Sequence, residues 1–270
     1  MMKLFGTDGI RGKANTYPIT PELALLVGKA VAKECEASGH GSRRAVLGKD
    51  TRLSGYMLEN AISAGLLSMG MDVLEVGPMP TPAVAHLTRS LCADCGIMIT
   101  ASHNPAEDNG IKIFDRSGFK LSDAETAAIE KSIADETLSS SHIDNARIGK
   151  AKRIDDARGR YVEFAKSTIK NRSLAGLKVV LDCANGAAYS MAPWIFRELG
   201  AEVIAVSTQP DGQNINLNCG ALHPEYLSKL VREHGADAGI ALDGDADRVI
   251  FCDAEGVIVD GDRIIGMVAL

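Results

Sequence analysis

Two loops of this 270-residue chain carry side chains able to do chemistry. The first is Thr100-Ala101-Ser102-His103-Asn104-Pro105, with Asp108-Asn109-Gly110-Ile111-Lys112 behind it. Pro105 and the Asp-Asn-Gly turn signal bend the backbone twice, which sets Ser102 on a loop. A serine there either attacks as a nucleophile, which needs a base beside it, or carries a phosphoryl group, which needs cations and a metal more than a base. His103 is adjacent, but neighbours on an extended segment point to opposite sides, and the Gly-x-Ser-x-Gly elbow of many hydrolases is absent. The pattern favours phosphoryl transfer; the alternative is a serine that only bonds the backbone.

The second loop is Asp243-Gly244-Asp245-Ala246-Asp247-Arg248. Two like charges about 4 Å apart repel by about 4 kcal/mol at an effective dielectric near 20, so three crowded carboxylates call for a cation. On a flat strand alternate side chains share a face but stand about 6.7 Å apart, too far to share one small ion. Gly244 is expected to let the chain curl and bring them together. All-oxygen ligation suits magnesium, which keeps places for water or a phosphate oxygen. An EF-hand starting at Asp243 needs glycine sixth and glutamate twelfth, where this chain has Arg248 and Ala254. A haloacid-dehalogenase-like phosphatase with Asp243 as nucleophile is the stronger alternative, and Arg248, in place of a small hydroxyl or apolar residue, counts against it. A solvated acidic turn is the third reading.

The elements that must position these loops repeat along the chain. Short buried strands are expected at 95–100, running into the serine loop, and at 238–242, running into the aspartate loop. Upstream of each come a strand (44–50 and 177–183), a helix (56–69 and 189–199) and a second strand (71–76 and 201–206), with Gly70 and Gly200 as helix stops. Helices follow at 82–90 and 224–234. The two loops therefore occupy the same place in two copies of one strand–helix–strand–helix–strand unit. That place is the carboxyl end of a strand, where open α/β sheets bind ligands, and a cleft between two such copies can bring the loops together. Ile111-Lys112-Ile113-Phe114 has a period of two before an Asp115-Arg116-Ser117-Gly118 turn, which turns Lys112 away from its apolar neighbours at the start of a hairpin. A solvated edge lysine is the plain alternative.

These segments, with Phe5-Gly6-Thr7-Asp8-Gly9-Ile10-Arg11-Gly12, Gly77-Pro78-Met79-Pro80-Thr81-Pro82 and Asp182-Cys183-Ala184-Asn185-Gly186-Ala187, resemble the α-D-phosphohexomutases over the whole chain. The resemblance implies an α/β fold of two tandem three-layer α/β/α domains with mixed sheets: 1–150 with the phosphoserine loop, 151–256 with the metal loop, and 257–270 as the start of a third. It implies that Ser102 is phosphorylated in the active enzyme and that Asp243, Asp245 and Asp247 bind one magnesium together with the Ser102 phosphate. Arg248 and Asn104 would hold the phosphoryl group or substrate. Arg11, His103 and Lys112 would line the reacting centre, with Lys112 as proton-transfer partner. The opening Gly6-Thr7-Asp8-Gly9 favours the amino-sugar members over the phosphomannomutases and phosphoglucomutases, which remain the alternative. That choice implies a phosphosugar substrate, glucosamine 6-phosphate, converted to glucosamine 1-phosphate through glucosamine 1,6-bisphosphate, on the way to UDP-N-acetylglucosamine and cell-wall precursors.

Family members have four domains, with a sugar-specificity loop in the third and a distal phosphate loop in the fourth. Neither pattern occurs here, so the chain reads as an N-terminal portion that needs C-terminal domains to complete the site and is inactive alone. A homodimer is compatible with the family. A noncatalytic magnesium- or phosphate-binding fragment is the alternative from another class. One residue departs from the family pattern: Ala246 stands where a second glycine is usual. Alanine at positive φ would be strained by about 1 kcal/mol or more, so right-handed or extended backbone is expected there.

Composition fits these expectations. With 46% hydrophobic and 24% charged residues there is core for two domains, and aromatics at 4% make that core aliphatic. A net charge of −6 and a pI near 5.6 argue against nonspecific nucleic-acid binding. No apolar run reaches the length of a membrane span, and Met1-Met2-Lys3-Leu4-Phe5-Gly6 lacks the apolar core of a signal peptide. A cytoplasmic protein with its six cysteines reduced is expected. Cys92-x-x-Cys95, at the entry to a buried strand, reads as core cysteine rather than a metal or redox pair. The domain link is expected in 135–155, around Ser139-Ser140-Ser141-His142, followed by a helix over 153–170; 262–270 reads as an apolar helix.

Overall fold

The computed structural model describes residues 3–39, 41–170 and 172–269. Expectations that touch Met1, Met2 and Leu270 lie outside the described residues. The chain divides into two compact units: residues up to Ala101 with Glu107–Ala157, and Ser102–Ala106 with the residues from Arg158 onward. The serine loop thus belongs with the second unit, although the strands that flank it belong to the first.

In the first unit the strands are β1 (Ile10–Lys13), β2 (Arg44–Lys49), β3 (Asp72–Pro78), β4 (Cys95–Ile99), β5 (Asp108–Asp115) and β6 (Ala151–Arg153). They form one sheet in the order β1-β5-β4-β2-β3-β6. The β4, β2, β3 and β6 strands run parallel, and β5 is antiparallel to both β4 and β1. All five residues of β4 are buried, the near-continuous apolar run expected of a strand covered on both faces. The helices are α1 (Pro21–Ala37), α2 (Ser54–Ser68), α3 (Thr81–Ser90), α4 (Asp123–Ile133) and the single turn α5 (Thr137–Ser140). Thr20 caps α1 by accepting from the Leu23 N–H, ahead of Pro21, and Ser122 with Glu125 forms a capping box on α4. Ala45 and Leu47 of β2, with Cys95, Ile97 and Ile99 of β4, share a core with α1 and α2. The opposite face meets α3, so closely that a Cβ on Gly48 would lie 2.5 Å from Val84 and one on Gly96 would lie 2.1 Å from Thr88. Helices on both faces make three layers.

The second unit repeats the plan. Its strands β7 (Lys178–Asp182), β8 (Glu202–Val206), β9 (Ala238–Leu242), β10 (Val249–Asp253) and β11 (Ile258–Val259) lie in the order β11-β10-β9-β7-β8. Its helices are α6 (Ala157–Ser167), α7 (Met191–Glu198), α8 (Pro224–His234) and α9 (Gly261–Ala269). The run β10-β9-β7-β8 has the pairing of β5-β4-β2-β3: three parallel strands closed by one antiparallel neighbour. The expected duplication is therefore the observed topology.

The differences are local. Residues 151–153 form β6 alongside β3, so the first sheet extends past the boundary expected at 150 and helix α6 starts at Ala157 rather than 153. Likewise Ile258 and Val259 pair with β10, which places them in the second sheet rather than in a third domain. Strand β5 lies between β1 and β4, so Lys112 is on an interior strand and is 6% exposed, not a solvated edge charge.

Candidate active site

Strand β9 ends at Leu242 and β10 begins at Val249, which pairs with it, so the aspartate loop is the six-residue reversal of a hairpin. The Ala246 N–H donates to the Asp243 carbonyl (3.0 Å), and the Arg248 N–H donates to Asp243 Oδ1 (3.2 Å). This tight closure sets Ala246 at φ +55°, left-handed, against the expectation of right-handed or extended backbone. The hairpin's need to reverse outweighs the alanine Cβ penalty. Gly244 also serves differently from expectation. It is not among the left-handed glycines, and the convergence of the carboxylates rests on the reversal at Ala246. What Gly244 supplies is space: a Cβ there would lie 2.6 Å from the Ser102 carbonyl oxygen. Beneath it, a Cβ on Gly186 would lie 2.4 Å from the Gly244 carbonyl oxygen, which accepts from the Ala187 N–H (2.8 Å).

Asp243, Asp245 and Asp247 each bring a carboxylate oxygen within 4.8 Å of the others, the first two buried and the third exposed. Burial, then the charges of Asp245 and Asp247, push the Asp243 carboxyl up from its ordinary 3.8 to about 6, against the opposing hydrogen bonds from Ser102 and Arg248. Three hard oxygen donors converging in this way fit magnesium.

Ser102 is 1% exposed, and its Oγ donates to Asp243 Oδ2 at 2.7 Å across 141 residues of sequence. Its own backbone is left-handed, φ +54°, which is why Ser102 and His103 do not point to opposite sides as an extended segment would require. The Ser102 Oγ to His103 Nδ1 distance is 3.4 Å, too long for a strong O–H···N bond. His103 and Asn104 are half-buried on the same loop, and Arg248 follows the aspartates as an exposed side chain.

Arg11 and Lys112 lie in the first unit. Arg11 on β1 forms an ion pair with Asp8, and Lys112 Nζ on β5 lies 3.4 Å from the same carboxylate. Asp8 was not singled out from the sequence; its signal was its place between glycines in Gly6-Thr7-Asp8-Gly9. A fully buried pair, Asp50 and Arg52, was missed as well. The Thr100 hydroxyl donates to Asp50 Oδ2 (2.7 Å), Arg52 Nε donates to the same oxygen (2.9 Å), and Arg52 Nη1 donates to the Asp108 carbonyl (2.9 Å). The pair thus ties together the two stems of the serine loop. Burial raises the Asp50 carboxyl above its ordinary value, with the Arg52 charge opposing. Two opposite charges two residues apart after a buried strand, in Lys49-Asp50-Thr51-Arg52, were the available clue. Cys92 is exposed and Cys95 buried, and the described cysteines are free.

The family model for phosphoglucomutase/phosphomannomutase α/β/α domain I matches residues 2–140, and that for domain II matches residues 159–256. The chain belongs to the phosphoglucomutase/phosphomannomutase family. Among relatives of this family member, a phosphoglucosamine mutase of Citrifermentans bemidjiense is 58% identical over 270 residues, covering 100% of this chain and 59% of the relative. One of Cereibacter sphaeroides is 59% identical over 268 residues, covering 99% of this chain and 59% of the relative. The chain thus spans less than two thirds of the length of these relatives. Among solved structures, a phosphoglucomutase/phosphomannomutase family protein of Burkholderia thailandensis superposes with a TM-score of 0.85 at 29% identity, over 99% of this chain and 58% of that one. A putative phosphomannomutase of Thermus thermophilus gives a TM-score of 0.83 at 27% identity, over 98% and 60%.

Proposed function

We propose that this chain carries the phosphoserine and metal loops of a phosphoglucosamine mutase, an isomerase that moves a phosphoryl group between the 6- and 1-oxygens of glucosamine phosphate. The observation that carries the proposal is the 2.7 Å bond from Ser102 Oγ to Asp243 within the carboxylate cluster. Relatives named phosphoglucosamine mutase support the amino sugar as substrate.

Asp243, Asp245 and Asp247 would hold magnesium, with a phosphate oxygen on Ser102 as a further ligand. Bound there, it supplies charge neutralisation to the transferring phosphoryl group. Phosphorylated Ser102 donates to the 1-hydroxyl of glucosamine 6-phosphate: the Ser102 Oγ–P bond breaks as the new O–P bond forms. Lys112, beside Asp8, is the proton-transfer partner for that hydroxyl, and Arg11 and His103 complete the charge around the reacting centre. Arg248 and Asn104 steady the phosphoryl group. Ser102 then recovers the phosphate from the 6-position of glucosamine 1,6-bisphosphate, releasing glucosamine 1-phosphate. The C-terminal portions of the longer relatives would supply the remaining sugar and phosphate contacts. Among the described residues no helix is long and apolar enough to cross a membrane.

Site mapping after incubation with magnesium and radiolabelled glucosamine 1,6-bisphosphate, in a chimera that joins this chain to the C-terminal portion of one of the longer relatives, tests the proposal. Label on Ser102 that is acid-stable and resists hydroxylamine is expected. Hydroxylamine-labile label on Asp243 would instead identify an aspartyl-phosphate enzyme.

A further inference from the structure

We infer that Asn216 is the positioning residue that locks the Ser102 loop onto the carboxylate cluster. The inference rests on the proposal above, in which Ser102 carries phosphate beside a metal held by the three aspartates.

Asn216 lies between β8 and α8 and is 8% exposed. Its Nδ2 donates to the Ser102 carbonyl at 2.9 Å and to the Asn104 carbonyl at 3.1 Å. Both partners are carbonyl oxygens, so only the NH2 end of the amide can face them, and both its hydrogens are used. The Ser102 carbonyl also packs close to Gly244, where a Cβ would lie 2.6 Å from it. Asn216 is itself anchored: its N–H donates to the Ala184 carbonyl (2.9 Å), and the Ala184 N–H donates to Asp182 Oδ1 (2.9 Å) at the end of β7. Asp182 Oδ2 also accepts from the Gly220 N–H (2.7 Å), so the segment carrying Asn216 is tied to β7 on both sides.

The purpose of such a clamp follows from the serine's backbone. Ser102 is left-handed, a conformation unfavourable for a non-glycine residue, and it persists only where its surroundings over-determine it. Two bonds from one buried amide to the carbonyls of Ser102 and Asn104 supply that constraint. With the backbone fixed, Oγ is aimed at Asp243; without it, the loop relaxes and the oxygen leaves the cluster. Asn216 is itself at φ +59°, which asparagine tolerates better than most residues.

The test uses two variants of the 270-residue chain. Asn216→Gly accepts the left-handed backbone and removes both donors. Asn216→Asp keeps shape and backbone but sets a carboxylate against the two carbonyls. Hydrogen exchange by mass spectrometry on the unphosphorylated protein should show residues 101–106 exchanging about tenfold faster or more in both, as expected for two lost hydrogen bonds, with 178–182 and 238–242 unchanged. Unchanged loop exchange in both variants, or equal acceleration in β7 and β9, overturns the inference. A second readout uses the chain with phosphoserine encoded at 102 and manganese in place of magnesium. Paramagnetic broadening of the phosphoserine 31P resonance should fall by about half or more in Asn216→Gly, as the docked population drops, while manganese affinity stays within about threefold of the parent. Full broadening in Asn216→Gly overturns the positioning role. If loop exchange accelerates but the parent shows no broadening, the clamp stands and the phosphate-carrier proposal for Ser102 fails.

Discussion

Without a metal, the buried Asp243 carboxylate should make the second unit less stable as pH rises. Its carboxyl titrates near 6 in the folded protein, against an ordinary 3.8. Between those values the folded state keeps a proton that the unfolded state has lost, so stability is greatest below pH 3.8 and falls as pH rises to about 6. The interval corresponds to on the order of 3 kcal/mol. Asp243 is 1% exposed, so solvent screening takes little from it. The assay is urea unfolding with excess chelator, followed through Trp194, the only tryptophan, which lies on α7 of the second unit. The stability of the parent is compared with that of Asp243→Asn at each pH, which cancels titrating groups that do not interact with Asp243, Asp50 included. The parent-minus-variant difference should fall by about 2 kcal/mol from pH 4 to pH 7 and level off above about pH 7, and saturating magnesium should remove most of the fall. A difference that stays flat with pH, or rises, refutes the claim that burial and the neighbouring aspartates strain Asp243.

Three further substitutions probe the loops. Ala246→Gly relieves the left-handed alanine at some cost in unfolded-chain entropy, and should raise stability by about 0.5–1 kcal/mol in the same Trp194 assay. Gly244→Ala drives a methyl group against the Ser102 carbonyl and should lower stability by about 1–3 kcal/mol, with faster hydrogen exchange at 101–106. Arg52→Leu leaves Asp50 buried without its cation and should destabilise the first unit by about 3–5 kcal/mol at pH 7, read from exchange at 45–49 and 95–99.

Much of the scaffold was legible because local chemistry and burial agreed. Strand β9 is an apolar run stopped by carboxylates, and α8 is bracketed by Pro224 and a left-handed Gly235. The repeat was readable because both copies use the same strand, helix and glycine-stop rhythm. What stayed hidden depends on partners distant in sequence. Strand β6 is three exposed residues with no apolar pattern, and only its pairing with β3 makes it a strand. The backbone of Ala246 is set by closure of the hairpin rather than by the preference of alanine. The approach of Ser102 to Asp243 was expected from the symmetry of the two copies. The Asn216 amide that holds the serine's backbone had no signal in a loop of several asparagines, Asn214, Asn216 and Asn218.

The central claim is that a phosphate on Ser102 and the three aspartates bind one magnesium together. Calorimetric titration of magnesium into the 270-residue chain, with and without phosphoserine encoded at position 102, tests it most directly. An added negative charge about 4 Å from a divalent ion contributes up to about 8 kcal/mol at an effective dielectric near 20, much of it offset by repulsion from the aspartates. Phosphorylation should therefore tighten magnesium binding at least about tenfold, at a stoichiometry of one, and Asp245→Asn should abolish most of that gain. Equal affinity in the two forms, or a gain that survives Asp245→Asn, would contradict it.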